Sequence, residues 1–170
     1  DEGYVARSIY KLKEIDDKFH LIKKNQHVLD LGSAPGSWAQ YVSGIVGSSG
    51  RLVGVDYKEI KVAMPNTTFL VGNFFSDEVR QQLESLGPYD GIISDMAPDT
   101  TGVHFADTEN SAILVNLALD IAEKLLKPKG SFVAKVFEGA EYNSLLKRTR
   151  NMFDFAKSCN PKASLNRSRE

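Results

Sequence analysis

The eleven residues from Val28 to Trp38, V-L-D-L-G-S-A-P-G-S-W, constrain the fold more than any other stretch of this chain. An apolar run closed by Asp30 and Leu31 breaks at Gly32, and beyond Pro35 and Gly36 the pattern turns helical. That is a buried strand, a tight turn and a helix start, the repeating unit of an open α/β sheet. Ligands of such sheets bind beyond the carboxyl ends of the strands, where the N–H groups of a following helix can meet an anion. Gly32, Ser33, Pro35 and Gly36 are therefore the first candidates for cofactor contacts. A nicotinamide fingerprint, G-x-G-x-x-G begun at Gly32, would require glycine where Ala34 and Ser37 stand, which disfavours a dehydrogenase.

At 170 residues the chain is expected to form one domain, 1–170, with a substantial core. Its net charge of -1 advertises no chain-wide affinity for nucleic acid and leaves only a local basic patch open. The single cysteine, Cys159, allows neither an internal disulfide nor a thiolate metal site, so no metal is expected and a reducing, cytoplasmic setting fits. No apolar run approaches a membrane span, and the N-terminus lacks a signal-peptide core. The opening Asp1-Glu2-Gly3 is not a natural start, and a fragment is expected.

Over residues 5–22, Ile9, Leu12, Ile15, Phe19 and Ile22 fall three and four apart, on one helical face. Arg7, Lys11, Glu14 and Lys18 share another face, which looks to solvent or to a ligand. A helix is expected over 37–45 and a second strand over 51–55. That strand ends at Asp56, twenty residues after Gly36, about the interval at which a strand-end carboxylate meets ribose hydroxyls. A third strand, 68–71, leads to Asn73 and Phe74. The amide of Asn73 could read an adenine edge and Phe74 could cover a base, or both could cap the helix expected over 76–86. A fourth strand, 89–94, ends at Asp95. Asp30, Asp56, Asn73 and Asp95 thus close four successive strands and outline a site. The loop 99–106 is long enough to contact substrate, and its His104 reads as a surface residue. A helix over 107–126, ended by Lys127-Pro128-Lys129-Gly130, precedes a fifth strand over 131–136 that carries Lys135. A lysine inside a strand must emerge at the strand end or be paired. A helix over 140–152, a sixth strand over 153–158 and a basic tail to Glu170 complete the reading.

Taken together, these motifs resemble the FtsJ/RrmJ-type ribose 2′-O-methyltransferases. The likeness runs through A-R-S-I-Y-K-L, D-L-G-S-A-P-G-S-W, S-D-M-A-P, F-V-A-K-V-F-E-G and N-R-S-R-E. It implies a Rossmann-like fold, a mostly parallel seven-stranded sheet with helices on both faces and an antiparallel last strand that would follow Glu170. It implies S-adenosylmethionine as methyl donor, leaving S-adenosylhomocysteine, with Gly36, Trp38, Asp56, Asn73 and Asp95 as cofactor contacts. It places a catalytic tetrad on Lys11, Asp95, Lys135 and Glu170. The implied acceptor is a ribose of RNA, foremost a uridine of large-subunit ribosomal RNA. The alternatives are the transfer RNA anticodon loop or a non-catalytic RNA-binding assembly factor. Asn73 departs from relatives that carry aspartate there, but its carbonyl still accepts from an adenine amino group. Arg7, Lys11, Lys23, Lys24, Lys162, Arg167 and Arg169 are expected to form one basic face for RNA beside the pocket of a monomer.

A ribose hydroxyl is a poor nucleophile until its proton is leaving, so such an enzyme must align oxygen, methyl and sulfur and manage one proton. Presenting any lysine neutral at pH 7, from a free pKa of about 10.4, costs roughly 4.6 kcal/mol. The sequence leaves two roles open for Lys135, proton acceptor or charged stabiliser of the developing alkoxide.

Overall fold

A computed structural model describes residues 3–96, 104–139 and 141–160, with the backbone alone for 104–109. Strands β1 (His27–Leu31), β2 (Arg51–Asp56), β3 (Thr67–Val71), β4 (Tyr89–Ser94) and β5 (Leu126–Ala134) form one sheet in the order β3-β2-β1-β4-β5. Every neighbouring pair is parallel. The winding runs outward from β1 to β3 and then restarts at β4 on the other side. The switch point, where a crevice must open, therefore lies between the carboxyl ends of β1 and β4. This is the doubly wound architecture expected from the strand–turn–helix unit. The described residues contain five strands and no antiparallel one.

Alternation along the strands separates two cores. Val28, Leu52 and Ile93 face α1 (Ile9–Phe19) and α2 (Ser37–Val46), meeting Ile9, Leu12, Trp38, Ala39 and Val42. Leu29, Leu31, Val53, Val55 and Ile92 face the other way, toward α3 (Asp77–Leu86) and α4 (His104–Leu125). Asp30 belongs to the first face, paired in register with Gly54 and Ile93.

Four expectations need correction. The first helix is shorter than its apolar spacing suggests. His20 turns left-handed at φ 52°, and Asp16 takes the N–H groups of Leu21 and Ile22, so Ile22 belongs to the link into β1. The fifth strand begins at Leu126, with residues 127–130 displaced where the register shifts between Tyr89 and Gly91, so the Pro-Lys-Gly punctuation marks a bulge within the ladder. No strand forms over 153–158. There α5 (Tyr142–Met152) ends at Phe153, and the aromatics make ring contacts, Phe153 on Phe132 and Phe155 on Phe19, both 5.9 Å apart. Phe74, offered as a base cover, is 2% exposed and lies in the core.

Candidate functional site

Backbone hydrogen bonds continue the ladder one step past the strand ends and so bring the site residues level. The Gly72 N–H donates to Asp56 O, and the Gly32 and Ser33 N–H groups both donate to Val55 O. The Asp95 N–H donates to Leu31 O and the Lys135 N–H to Ser94 O. Asn73, Asp56, Gly32, Asp95 and Lys135 consequently stand in sequence along one edge of the sheet.

The turn between β1 and α2 is closely fitted. At Gly32, with φ 77°, an added Cβ would lie 2.9 Å from the Met96 backbone nitrogen, so the turn packs directly against the residue after Asp95. Asp56 braces the same turn, accepting from the Ala34 N–H at 2.9 Å and from the Lys58 N–H at 3.0 Å. Pro35 is exposed, Gly36 and Trp38 are buried, and the first N–H groups of α2 have no partner within that helix's own ladder.

Beneath the turn lies Asp30, fully buried. Its Oδ2 accepts from Ser33 Oγ at 2.8 Å, whereas Oδ1 finds no donor. Burial, opposed by the Ser33 hydrogen bond and reinforced by the neighbouring Asp95 and Asp56 carboxylates, pushes its pKa up to about 7. The unfolded chain releases this proton near pH 3.9. Between the two values the folded protein holds more protons, so Asp30 makes stability fall as pH rises from about 4 to about 7. Asp30→Asn is expected to flatten that slope in thermal melts between pH 4 and 8. An unchanged slope would remove Asp30 as its source.

Lys135 Nζ lies 2.8 Å from Asp95 Oδ1, and both side chains are 17% exposed. The spacing is that of an ion pair. Lys11 of α1 joins them. Its pKa is lowered by burial and by the charge of Lys135, with Asp95 opposing. Residues far apart in sequence therefore place two lysines and a carboxylate at the crevice mouth.

The basic positions do not gather in the same way. Arg7 is exposed just ahead of α1. Lys23 and Lys24 are exposed before the start of β1, at the opposite end of the sheet from Gly32, roughly 16 Å away by strand rise. They are not beside the crevice. Lys162, Arg167, Arg169 and Glu170 lie outside the described residues.

Asn73 Oδ1 accepts from the Phe75 N–H at 2.9 Å and lies 3.4 Å from the Tyr57 hydroxyl. The capping alternative holds in part, because the helix N-cap itself is Ser76, whose Oγ accepts from Val79. With Phe74 in the core, the exposed aromatics at this edge are Tyr57 and Phe75, and Tyr57 is set against Phe74 edge-on at 4.9 Å. Tyr57 directly follows the strand-end Asp56, the one signal in the sequence for its place at this edge. A groove of about 900 Å³ runs along β5, which is the sheet edge among the described residues, with Lys11, Trp38 and Lys135 in its lining.

Comparison with known proteins gives the family and supports the fold. Residues 4–170 match the FtsJ-like methyltransferase family. Ribosomal RNA large subunit methyltransferase E of Syntrophobacter fumaroxidans is 44% identical over 99% of this chain and 87% of its own length. The protein of that name from Legionella pneumophila (strain Corby) is 45% identical, over 99% and 83%. Among solved structures, one described as a ribosomal RNA methyltransferase from Plasmodium falciparum superposes with a TM-score of 0.81. It is 28% identical, over 94% of this chain and 93% of that one. Aeropyrum pernix fibrillarin, solved with S-adenosylmethionine bound, shares the fold at a TM-score of 0.60 and 20% identity, over 87% and 65%.

Proposed function

The chain belongs to the FtsJ-like methyltransferase family, and from that premise we propose that it transfers a methyl group from S-adenosylmethionine to a ribose 2′-hydroxyl of large-subunit ribosomal RNA. The observation that carries this reading is the Lys135–Asp95 pair at the carboxyl ends of β4 and β5, with Lys11 brought up beside it.

The residues present suit the cofactor. Asp30 keeps a buried carboxylate oxygen without a donor, and Asp95 adds a second carboxylate, a setting for a cationic amino-acid end. The first turn of α2, at Gly36 and Trp38, offers N–H groups to a carboxylate. Asp56 and Asn73 stand at adjacent strand ends with acceptor capacity to spare for ribose hydroxyls and an adenine amino group. When bound, the cofactor supplies a methyl group already activated by the positive sulfur.

What remains for the protein is the proton. In this reading Lys135 receives or steers the proton leaving the 2′-oxygen, and Lys11 holds the acceptor with its positive charge. The Asp95 contact favours a second reading, in which Lys135 keeps its charge and stabilises the developing alkoxide. Glu170, matched to the family's fourth catalytic position, completes the proposed tetrad. Arg7 and Lys11, with Lys162, Arg167 and Arg169, would supply the RNA surface; Lys23 and Lys24 are left out of it. We read 1–170 as one catalytic domain, acting as a cytoplasmic monomer. Among the described residues no helix is long and apolar enough to cross a membrane.

The test offers labelled cofactor with large ribosomal subunits lacking 2′-O-methylation and, separately, with unmodified transfer RNA. Labelling of large-subunit RNA at a ribose, resistant to alkaline cleavage, is expected. Labelling of transfer RNA alone would move the acceptor to the anticodon loop. Cofactor binding without transfer to either RNA would make the protein a binding factor on the same fold.

A further inference from the structure

We propose that Asp16 and Tyr41 act as positioning residues that set the register of α1 on α2, and thereby hold Lys11 against Asp95 and Lys135. The inference rests on the proposed catalytic role of Lys11.

The packing between the two helices is largely apolar. Ile9 and Leu12, both fully buried, meet Trp38, Ala39 and Val42. Such contact is non-directional, so a small slide or roll of α1 would keep most of its burial while moving the Lys11 amine. Polar contacts must fix the position. Two polar contacts near the start of α1 are slight: the Val5 N–H donates to Gln40 Oε1 at 3.1 Å in an exposed bond, and the Ser8 and Ser37 hydroxyls lie 3.3 Å apart.

The far end is different. The Asp16 carboxylate, 6% exposed, collects three donors. Its Oδ1 accepts from the Leu21 and Ile22 N–H groups, each at 2.9 Å, and its Oδ2 accepts from the Tyr41 hydroxyl at 2.7 Å. One side chain thus joins α1, the link to β1 and the middle of α2. A bond to a charged acceptor is stronger and more directional than a neutral one. Asp16 follows Lys11 by five residues, about 7.5 Å along the helix axis, so a shift at the latch reaches the lysine through a stiff segment. Asp16 also satisfies two backbone N–H groups that an apolar residue would leave without this acceptor, so the Tyr41 hydroxyl, which touches only the other oxygen, is the part of the latch that joins α1 to α2.

Tyr41→Phe removes a single hydroxyl and leaves Asp16 its two backbone donors, so the fold is expected to persist. The test is a cycle of wild type, Tyr41→Phe, Lys11→Ala and the double variant, assayed for kcat, for KM of RNA and for cofactor Kd. Tyr41→Phe should lower kcat about fivefold with KM and Kd within about twofold, as expected of a small misplacement at the reacting centre. In the Lys11→Ala background the same change should cost less than about 1.5-fold, the signature of two residues acting as one unit. Asp16→Asn, which keeps an acceptor for Leu21 and Ile22, should show the same coupling. A loss of equal size in both backgrounds, or none in the wild type, would overturn the latch while leaving the catalytic reading intact. If Lys11→Ala leaves kcat unchanged, the role of Lys11 falls first and the latch with it.

Discussion

Replacing Lys135 by alanine is expected to lower methyl transfer by about a thousandfold or more, the scale of losing both proton handling and charge stabilisation at one centre. Cofactor affinity should stay within about threefold, because the turn from Gly32 to Gly36 is held by β2 through Val55 and Asp56 and not by this lysine. Stability should fall modestly. Asp95 and Lys135 are largely buried, and stripping one partner from such a pair costs about 1–3 kcal/mol here, since Lys11 still offers Asp95 a positive charge. For a domain of this size that is a drop of roughly 3–10 °C in Tm. Lys135→Arg separates the two roles. A guanidinium keeps its charge and does not deprotonate near neutrality, so a proton acceptor would be lost as fully as in the alanine variant. A charged stabiliser would leave a measurable part of the rate. Transfer by Lys135→Ala at close to the wild-type rate, with label still at the 2′-oxygen, would remove Lys135 from the mechanism altogether.

The site was legible where chemistry depends on strand ends. Each of β1 to β4 is an apolar run with a polar residue at or near its close, and parallel pairing carries those residues to one edge whatever the details of the loops. Lys135, expected inside a fifth strand over 131–136, follows that strand's last residue, Ala134, so the charge emerges at the strand end. What the sequence could not show were contacts formed by side chains folding back on backbone. Asp16 ends α1 by capturing two N–H groups beyond it, an event with no periodic signature. Phe74 and Tyr57 stand on either side of the same edge, and only packing decides which is buried. The stretch 153–158 has strand-like composition, but pairing depends on a neighbouring edge, and its aromatics found rings instead. Lys23 and Lys24 are near other basic residues along the chain, which says nothing of their distance from the crevice in space. A strand's length separates them from the crevice once β1 is drawn.

The second large effect concerns Gly36, where Gly36→Ala is expected to weaken cofactor binding by about a hundredfold or more and to destabilise the protein. Two independent constraints meet there. The backbone sits at φ 115°, outside the region open to a residue with a side chain, and an added Cβ would stand 2.5 Å from Val62 Cγ2 and 3.3 Å from Ile60 Cγ2. Val62 could swing aside, but the dihedral could not be kept without strain of about 1–3 kcal/mol, so the turn itself would have to move. Gly36 is the N-cap of α2, and its carbonyl accepts from Gln40 at 2.8 Å, so moving it re-aims the free N–H groups of the first helical turn. Gly47 provides the control. It too has a positive φ, of 72°, yet nothing lies within 4 Å of its added Cβ, and it closes the other end of the same helix. Gly47→Ala should therefore lose stability through backbone strain alone and bind the cofactor normally. Calorimetric titration with S-adenosylhomocysteine distinguishes the two. If both variants weaken binding equally, general loosening of α2 explains the effect; if Gly36→Ala binds as the wild type does, the cofactor is not held at this turn.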